Sequence, residues 1–263
     1  QHYRVVIVND GSSDGTREYL ESLNDGRITV VNHEVNRGYQ AARNSGMAQV
    51  REGEWVVLFD DDDVFLPDAF EKIAKTIASI SPDTSIIEFG TRFRTGSEEF
   101  IGGYQFKEGE TQHKMNYRET VTGNNHRGDA REVFKWPICM HYRYAEDVIE
   151  PQELLMILAR DGFVTRCVSE VIAVMDAGVG EHMHKNRSHR MIAGWTLAHR
   201  RFFRDHSKFL AENPDVALSK AIRAAKTAIR SYSPLFLVYF IYQACAASVR
   251  LILRSAKKNE IRN

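Results

Sequence analysis

Apolar and polar positions along residues 1–180 alternate between short β-branched runs and helical periodicity. Val5-Val6-Ile7-Val8, Ile28-Thr29-Val30-Val31 and Trp55-Val56-Val57-Leu58-Phe59 are near-continuous apolar runs, the pattern of strands covered on both faces. Between them, Thr16 to Leu23 places Tyr19, Leu20 and Leu23 on one side of a short helix, and Gly38 to Val50 predicts a second. Pro67 suits the first turn of a third helix reaching Ile80, with Phe70, Ile73, Ala74 and Ile77 at core spacing. Strands and helices alternating every 20–30 residues or so (roughly) predict an α/β fold, a mostly parallel sheet flanked by helices. Residues 94–135 are polar, glycine-bearing and weakly periodic, and read as a loop-bearing insertion. From Arg190 onward the pattern is helical and basic, and Pro214 and Pro234 divide it into three segments.

The 263 residues are 43% hydrophobic and 27% charged, enough apolar content for a packed core, which excludes a disordered or low-complexity chain. Cys139, Cys167 and Cys245 lie far apart and form no CxxC pair, so neither a disulfide framework nor a structural zinc site is expected. Reduced thiols fit a cytosolic setting. Charge changes the picture more. Basic and acidic residues balance at 35 each, but residues 183–263 hold 16 basic and 4 acidic ones, leaving 19 and 31 before them. An acidic body attracts a cation or base, and a basic tail attracts an anionic surface.

Leu235 to Val249 is apolar except for Gln243 and Ser248, and Arg250 interrupts it before Leu251-Ile252-Leu253. That run falls short of the ~20 apolar residues of a bilayer span. An interfacial or re-entrant helix is favoured over a span, and a buried core helix is the plain alternative. Arg254, Lys257 and Lys258 would suit an anionic, cytoplasmic leaflet. Upstream, Arg200, Arg201, Arg204, Lys208, Lys220, Arg223, Lys226 and Arg230 interleave with Phe202, Phe203, Leu210, Ile222 and Ile229, an amphipathic pattern that also suits a membrane surface.

Two segments carry candidate chemistry. Residues 8–16, VNDGSSDGT, follow a strand and open a helix but match neither GxGxxG nor GxxxxGK[ST], so no dinucleotide fingerprint or P-loop is indicated. A well-made turn and a ligand site at the strand end both remain open, and Asp10 exceeds what a turn requires. In Phe59-Asp60-Asp61-Asp62-Asp63, an extended backbone points Asp60 and Asp62 to one side and Asp61 and Asp63 to the other. Carboxylates this close resist desolvation without a cation, and a hard divalent ion, magnesium or manganese, suits oxygen ligands. Val64 and Leu66 exclude an EF-hand, and a solvated acidic loop is the alternative.

Taken in order, VNDGSSDGT, NRGYQAARNSG (residues 36–46) and FDDDDVFLPDAFE (59–71) resemble family 2 glycosyltransferases of the GT-A fold. The resemblance implies that residues 1–185 form a GT-A catalytic domain and that 186–263 are a basic, membrane-associating helical extension. It implies that Asp10 contacts the nucleotide base, that Arg43 with Gly38 lies near the nucleotide, and that Asp60 and Asp62 hold the divalent metal. Tyr144-Ala145-Glu146-Asp147 resembles the family's E-D element, which makes Asp147 the general base with Glu146 beside it. Favourable charge at a helix N-terminus is the plain alternative there. A loop introduced by Gly178 and Gly180, with His182, His184 and Arg187, is placed to close over a diphosphate, with a solvated basic face as the equal alternative. Trp136, Tyr104, Tyr142 and Tyr144 are sugar-stacking candidates whose default role is packing. Family members usually begin with one more strand and helix, the strand often reading V-S-V-I-I-P, so the resemblance implies a chain truncated before Gln1 and weakly active at best.

The activity so implied is inverting, metal-assisted transfer of a sugar from a nucleotide-diphosphate donor, UDP-linked by preference, to a hydroxyl of a glycan or lipid-linked acceptor. It would take place at the cytoplasmic face of an anionic membrane, without a nucleic-acid partner. A nucleotidyltransferase would need a glycine-rich loop with a basic residue, which the sequence lacks. A catalytically inactive scaffold subunit of a polysaccharide assembly system is the rival from another class.

Overall fold

The computed structural model describes residues 3–95, 98–147, 152–176, 189–230 and 233–260. The chain divides into two compact units, Gln1–Glu146 with Leu154–Glu181, and Asp147–Glu153 with His182–Asn263. In chain order the elements are β1 (Val5–Asn9), α1 (Thr16–Glu21), β2 (Ile28–Asn32), α2 (Tyr39–Met47), β3 (Trp55–Val57), β4 (Val64–Phe65), α3 (Ala69–Ser79) and β5 (Thr84–Thr95). They continue with β6 (Glu98–Tyr104), β7 (Gln112–Lys114), α4 (Tyr117–Thr122), β8 (His126–Arg127), β9 (Arg131–Lys135), α5 (Trp136–His141), α6 (Gln152–Arg160) and β10 (Val164–Asp176). Four helices follow: α7 (His189–Asp205), α8 (Ser207–Glu212), α9 (Pro214–Arg230) and α10 (Pro234–Glu260).

The fold is α/β, as the alternation of runs predicts, but its pairing is mixed. Among the described residues, parallel pairing joins β1 to β2 and β5 to β10, and the other pairs are antiparallel. The main path runs β3-β9-β5-β10-β4, with β1-β2 as a separate two-stranded sheet. The segment taken for a loop-bearing insertion is the reason. Residues 98–135 contribute four strands and the helix α4, and β9 from that segment lies between β3 and β5. Glycine hides the strand signal: a Cβ at Gly102 of β6 would strike the Phe93 ring, which stacks on Phe100 at 4.9 Å. Asn116 and Glu119 form a capping box that starts α4.

The central strand β5 is buried on both faces. Ile86 packs with Met47, Phe134, Ile138, Tyr144 and Leu158. Its neighbour Ile87 points the other way, with Phe89, into a cluster with Ala69, Val133 and Ile172. Trp136 and Tyr142 pack against the first cluster, Tyr144 is part of it, and Tyr104 stacks on His113 at 4.3 Å. All four sugar-stacking candidates therefore take their default role, packing.

In the helical unit, α9 buries Ala217, Ala221, Ala224 and Ala228, spaced so that one small-residue stripe seats neighbouring helices closely. Phe202, Phe203 and Leu210 are buried, so much of the apolar pattern between residues 199 and 230 serves packing rather than a membrane surface. Ile222 and Ile229 of α9 stay exposed, and the larger exposed apolar surface is on α10, where Leu235, Val238, Tyr242, Val249 and Ile252 each stand more than half exposed. Pro234–Ser255 is long and apolar enough to cross a membrane, and only 11% of it is buried.

Candidate active site

The first two sequence motifs form one physical piece. β1 ends at Asn9, whose side chain donates to Asn32 across the β1-β2 pair (3.0 Å) and accepts from the Ser12 N–H (3.0 Å). The next residue, Asp10, accepts from the backbone N–H groups of Arg37 (3.0 Å) and Gly38 (2.7 Å) and contacts His33 Nδ1 at 2.6 Å. With Nδ1 protonated, His33 donates to Asp10 and its Nε2 accepts from the Ser45 hydroxyl (2.8 Å). Partial burial alone would raise the Asp10 carboxyl; the donors from Arg37, His33 and Gly38 outweigh it and hold the group below the usual carboxylate range. Glycine is required where the two loops meet. Gly11 has φ +75°, and a Cβ there would lie 2.6 Å from the backbone of Val35 and Asn36. Gly38, φ +94°, leads into α2.

Helix α2 aims consecutive side chains at two other segments. The Arg43 guanidinium pairs with Asp60 at 2.9 and 3.2 Å and lies over the rings of Tyr39 (5.0 Å) and Tyr144 (5.7 Å). Asn44 bonds both backbone groups of Tyr144 and donates to Glu146 (3.1 Å), which Arg37 also reaches at 3.1 Å. Asn44 first, then Arg37, keeps the Glu146 carboxyl below its ordinary value. Glu132 of β9 adds a further carboxyl within electrostatic reach of Arg43. Loss of hydration, then the charge of Glu88, pushes it up to about 7.

The acidic run departs from the extended geometry that its sequence suggests. β3 stops at Val57, and the chain turns so that the Asp63 N–H donates to the Asp60 carbonyl at 3.3 Å. Strict alternation of the four carboxylates is therefore lost. Asp61 and Asp62 are exposed, whereas the Asp63 side chain is only 2% exposed and pairs with Arg131. Burial drives the Asp63 carboxyl up against the pull of Arg131. The exposed carboxylates of Asp61 and Asp62 offer oxygen donors that suit a hard divalent cation, Asp60 beside them is shared with Arg43, and Asp63 is paired with Arg131.

Asp10 bonds the backbone of Arg37 and Gly38, Glu146 bonds Arg37 and Asn44, and Arg43, next to Asn44 on α2, pairs with Asp60, so residues 37–44 connect the three acidic positions. Asp147 belongs to the helical unit, where Arg201 Nη2 bonds it at 2.5 Å. His182, His184 and Arg187 lie outside the described residues. Sequence reading missed Arg37 and Asn44, though both stand inside the NRGYQAARNSG stretch, and it missed His33 and Arg131, which no motif signals.

The glycosyl transferase family 2 profile matches residues 1–135, and the chain belongs to that family. It is 36% identical over 98 residues to the uncharacterized glycosyltransferase YwdF of Bacillus subtilis, covering 35% of this chain and 36% of that one. It is 40% identical over 73 residues to the putative teichuronic acid biosynthesis glycosyltransferase TuaG of the same organism, covering 27% of this chain and 29% of that one. The matched stretches therefore span only about a third of these relatives' length. The crystal structure of S. aureus TarS 1–349 superposes with a TM-score of 0.53 at 16% identity, covering 97% of this chain and 82% of that one, a likeness of GT-A fold.

Proposed function

We propose that this chain is an inverting, metal-assisted glycosyltransferase that moves a sugar from a nucleoside-diphosphate donor, UDP-linked, to a hydroxyl of a glycan or lipid-linked acceptor. The observation that carries the reading is that one stretch, residues 37–44, bonds Asp10 through Arg37 and Gly38, Glu146 through Arg37 and Asn44, and Asp60 through Arg43. Asp10, with the loop it braces, receives the nucleotide base, and Arg43 lends positive charge beside the nucleotide. Asp62 and Asp60 would hold a manganese or magnesium ion, whose charge would offset that of the departing diphosphate. Asp147, oriented by Arg201, accepts the proton of the acceptor hydroxyl. The acceptor oxygen bonds to the anomeric carbon from the face opposite the leaving group. The carbon–oxygen bond to the diphosphate breaks in the same displacement, and the nucleotide leaves with that electron pair.

The exposed apolar face of α10 supports a location on the cytoplasmic side of an anionic membrane, lying on or shallowly within it, beside a lipid-linked acceptor. Arg250, Arg254, Lys257 and Lys258 favour that leaflet. Nucleotide release from a panel of UDP- and GDP-sugars, with manganese or magnesium, tests the activity. Asp147→Asn is expected to leave donor binding nearly intact while transfer falls ~10²–10⁴-fold. Donor binding without release by the unaltered chain, under every metal and acceptor tried, would favour the inactive scaffold reading. Lower donor affinity with unchanged turnover in Asp147→Asn would make that residue a binding group rather than the base.

A further inference from the structure

Away from the Asp60–Asp62 turn, four strands place ligating residues at one level of the main sheet. Glu132 of β9 stands opposite Glu88 of β5, Glu88 opposite Cys167 of β10, and Cys167 opposite His113 of β7. Residues paired in register share a face, so Glu132, Glu88, Cys167 and His113 form a row across it. His126 of β8 reaches Glu88 with its Nε2 at 2.9 and 3.2 Å from the two carboxylate oxygens. Glu88 is 6% exposed and Cys167 fully buried. Two carboxylates directly opposite each other inside a sheet repel and favour a cation nearby.

We propose that Glu88, His126 and Cys167 form a binding site for a borderline divalent cation of the zinc class, separate from the hard-ion site at Asp60 and Asp62. One ligand atom from each lies within 4.8 Å of the others. A tetrahedral zinc with bonds of about 2.0–2.3 Å brings such atoms together with small side-chain movement. The donor set argues for the ion: thiolate and imidazole with one carboxylate select zinc over magnesium or manganese.

The surroundings orient the ligands. His126 Nδ1 lies 3.2 Å from the Asn124 carbonyl, and donating there it fixes the ring with Nε2 turned towards Glu88. The Tyr104 ring meets His126 edge-on at 5.6 Å and stacks on His113, whose Nε2 engages Glu119 at 3.2 Å. The sequence gives no hint of the site, because its three ligands are separated by 38 and 41 positions and meet only through strand register.

The test uses the full chain in a Cys245→Ser background, which removes the exposed thiol. After chelator treatment, Co²⁺ is expected to give thiolate-to-cobalt charge-transfer absorption that saturates at one equivalent of the thiolate site, and Zn²⁺ to abolish it. Cys167→Ser is expected to abolish the band. His126→Gln, at a half-buried position where misfolding is less of a concern, is expected to weaken Zn²⁺ at least ~100-fold, the upper end of what outer-shell changes cost. Asp62→Ala is expected to change neither readout. Absence of charge-transfer absorption in the folded background protein overturns the site. So does a band that survives in Cys167→Ser, or zinc affinity indifferent to His126→Gln.

Discussion

Asn44 and Tyr144 hold each other by a two-way clasp: the Asn44 amide donates to the Tyr144 carbonyl at 2.9 Å and accepts from the Tyr144 N–H at 2.8 Å. Both bonds are buried, and they pin the segment leading to Glu146 onto α2, one position after Arg43. Asn44→Ala would leave two buried backbone groups unpaired, at a cost of roughly 2–4 kcal/mol. Urea unfolding is expected to show that loss, with transfer falling as Glu146 loses one of its two donors. Stability within ~0.5 kcal/mol of the parent would show that the clasp carries little of the fold.

The course of the fold was legible where one period dominates. The runs at Val5 and Ile28 become β1 and β2, and the Phe70-Ile73-Ile77 spacing becomes α3. It was illegible where residues 94–135 trade side chains for close packing: Gly102 and Gly103 give no period, yet Gly102 sits against the Phe93 ring. The same limit applies to the candidate site. Asp10, Arg43 and Asp60 stand in recognisable motifs, whereas Arg131 and His33 gain their roles only when strands distant in sequence come together. Pairing direction was illegible too, because a run such as Val133-Phe134 reads alike in parallel and antiparallel neighbours.

Neighbouring carboxylates of the acidic turn should separate cleanly by function. Asp62 is exposed, so Asp62→Ala is expected to move stability by less than about 0.5 kcal/mol while abolishing metal-dependent transfer. Asp63→Ala strands Arg131, whose side chain is 8% exposed, and is expected to destabilise by roughly 3–5 kcal/mol. Thermal melts and nucleotide release on both variants make the comparison. Unchanged turnover and ordinary manganese dependence in Asp62→Ala would remove that residue from the metal site.

Acid should weaken the helical unit through His199. Burial first, then the charges of Lys220 and Arg223, lowers its imidazole to about 4. Between the unfolded value of about 6.5 and that folded value, the unfolded chain binds a proton that the folded chain refuses. Stability therefore falls as pH drops from 6.5 towards 4, by about 3 kcal/mol from this group. Chemical denaturation at pH 7 and at pH 4.5 should show a smaller acid loss in His199→Gln than in the parent. Equal losses in the two proteins would place the acid sensitivity elsewhere.

Membrane attachment should depend on α10 rather than on the basic helices before it. Phe202, Phe203 and Leu210 are already buried within the helical unit, so they are unavailable to lipid without unfolding it. Leu235 is 85% exposed, Tyr242 67% and Ile252 67%, and they recur along one side of a helix whose Pro234–Ser255 stretch is about 33 Å long at 1.5 Å per residue. Transfer of such side chains from water to the acyl boundary is favourable, and each nearby basic residue adds about 1 kcal/mol at an anionic leaflet. The full chain is expected to float with anionic vesicles, less so with neutral ones, and the neutral-vesicle fraction should report the apolar contribution alone. Leu235→Ser with Val238→Ser and Tyr242→Ser alters only exposed positions, so the fold should stand while flotation drops sharply. High salt should weaken the anionic preference but leave part of the binding, because apolar insertion is not screened. If the triple variant floats as well as the parent, or if the parent remains at the bottom of the gradient at low and high salt, α10 is not a lipid-binding face.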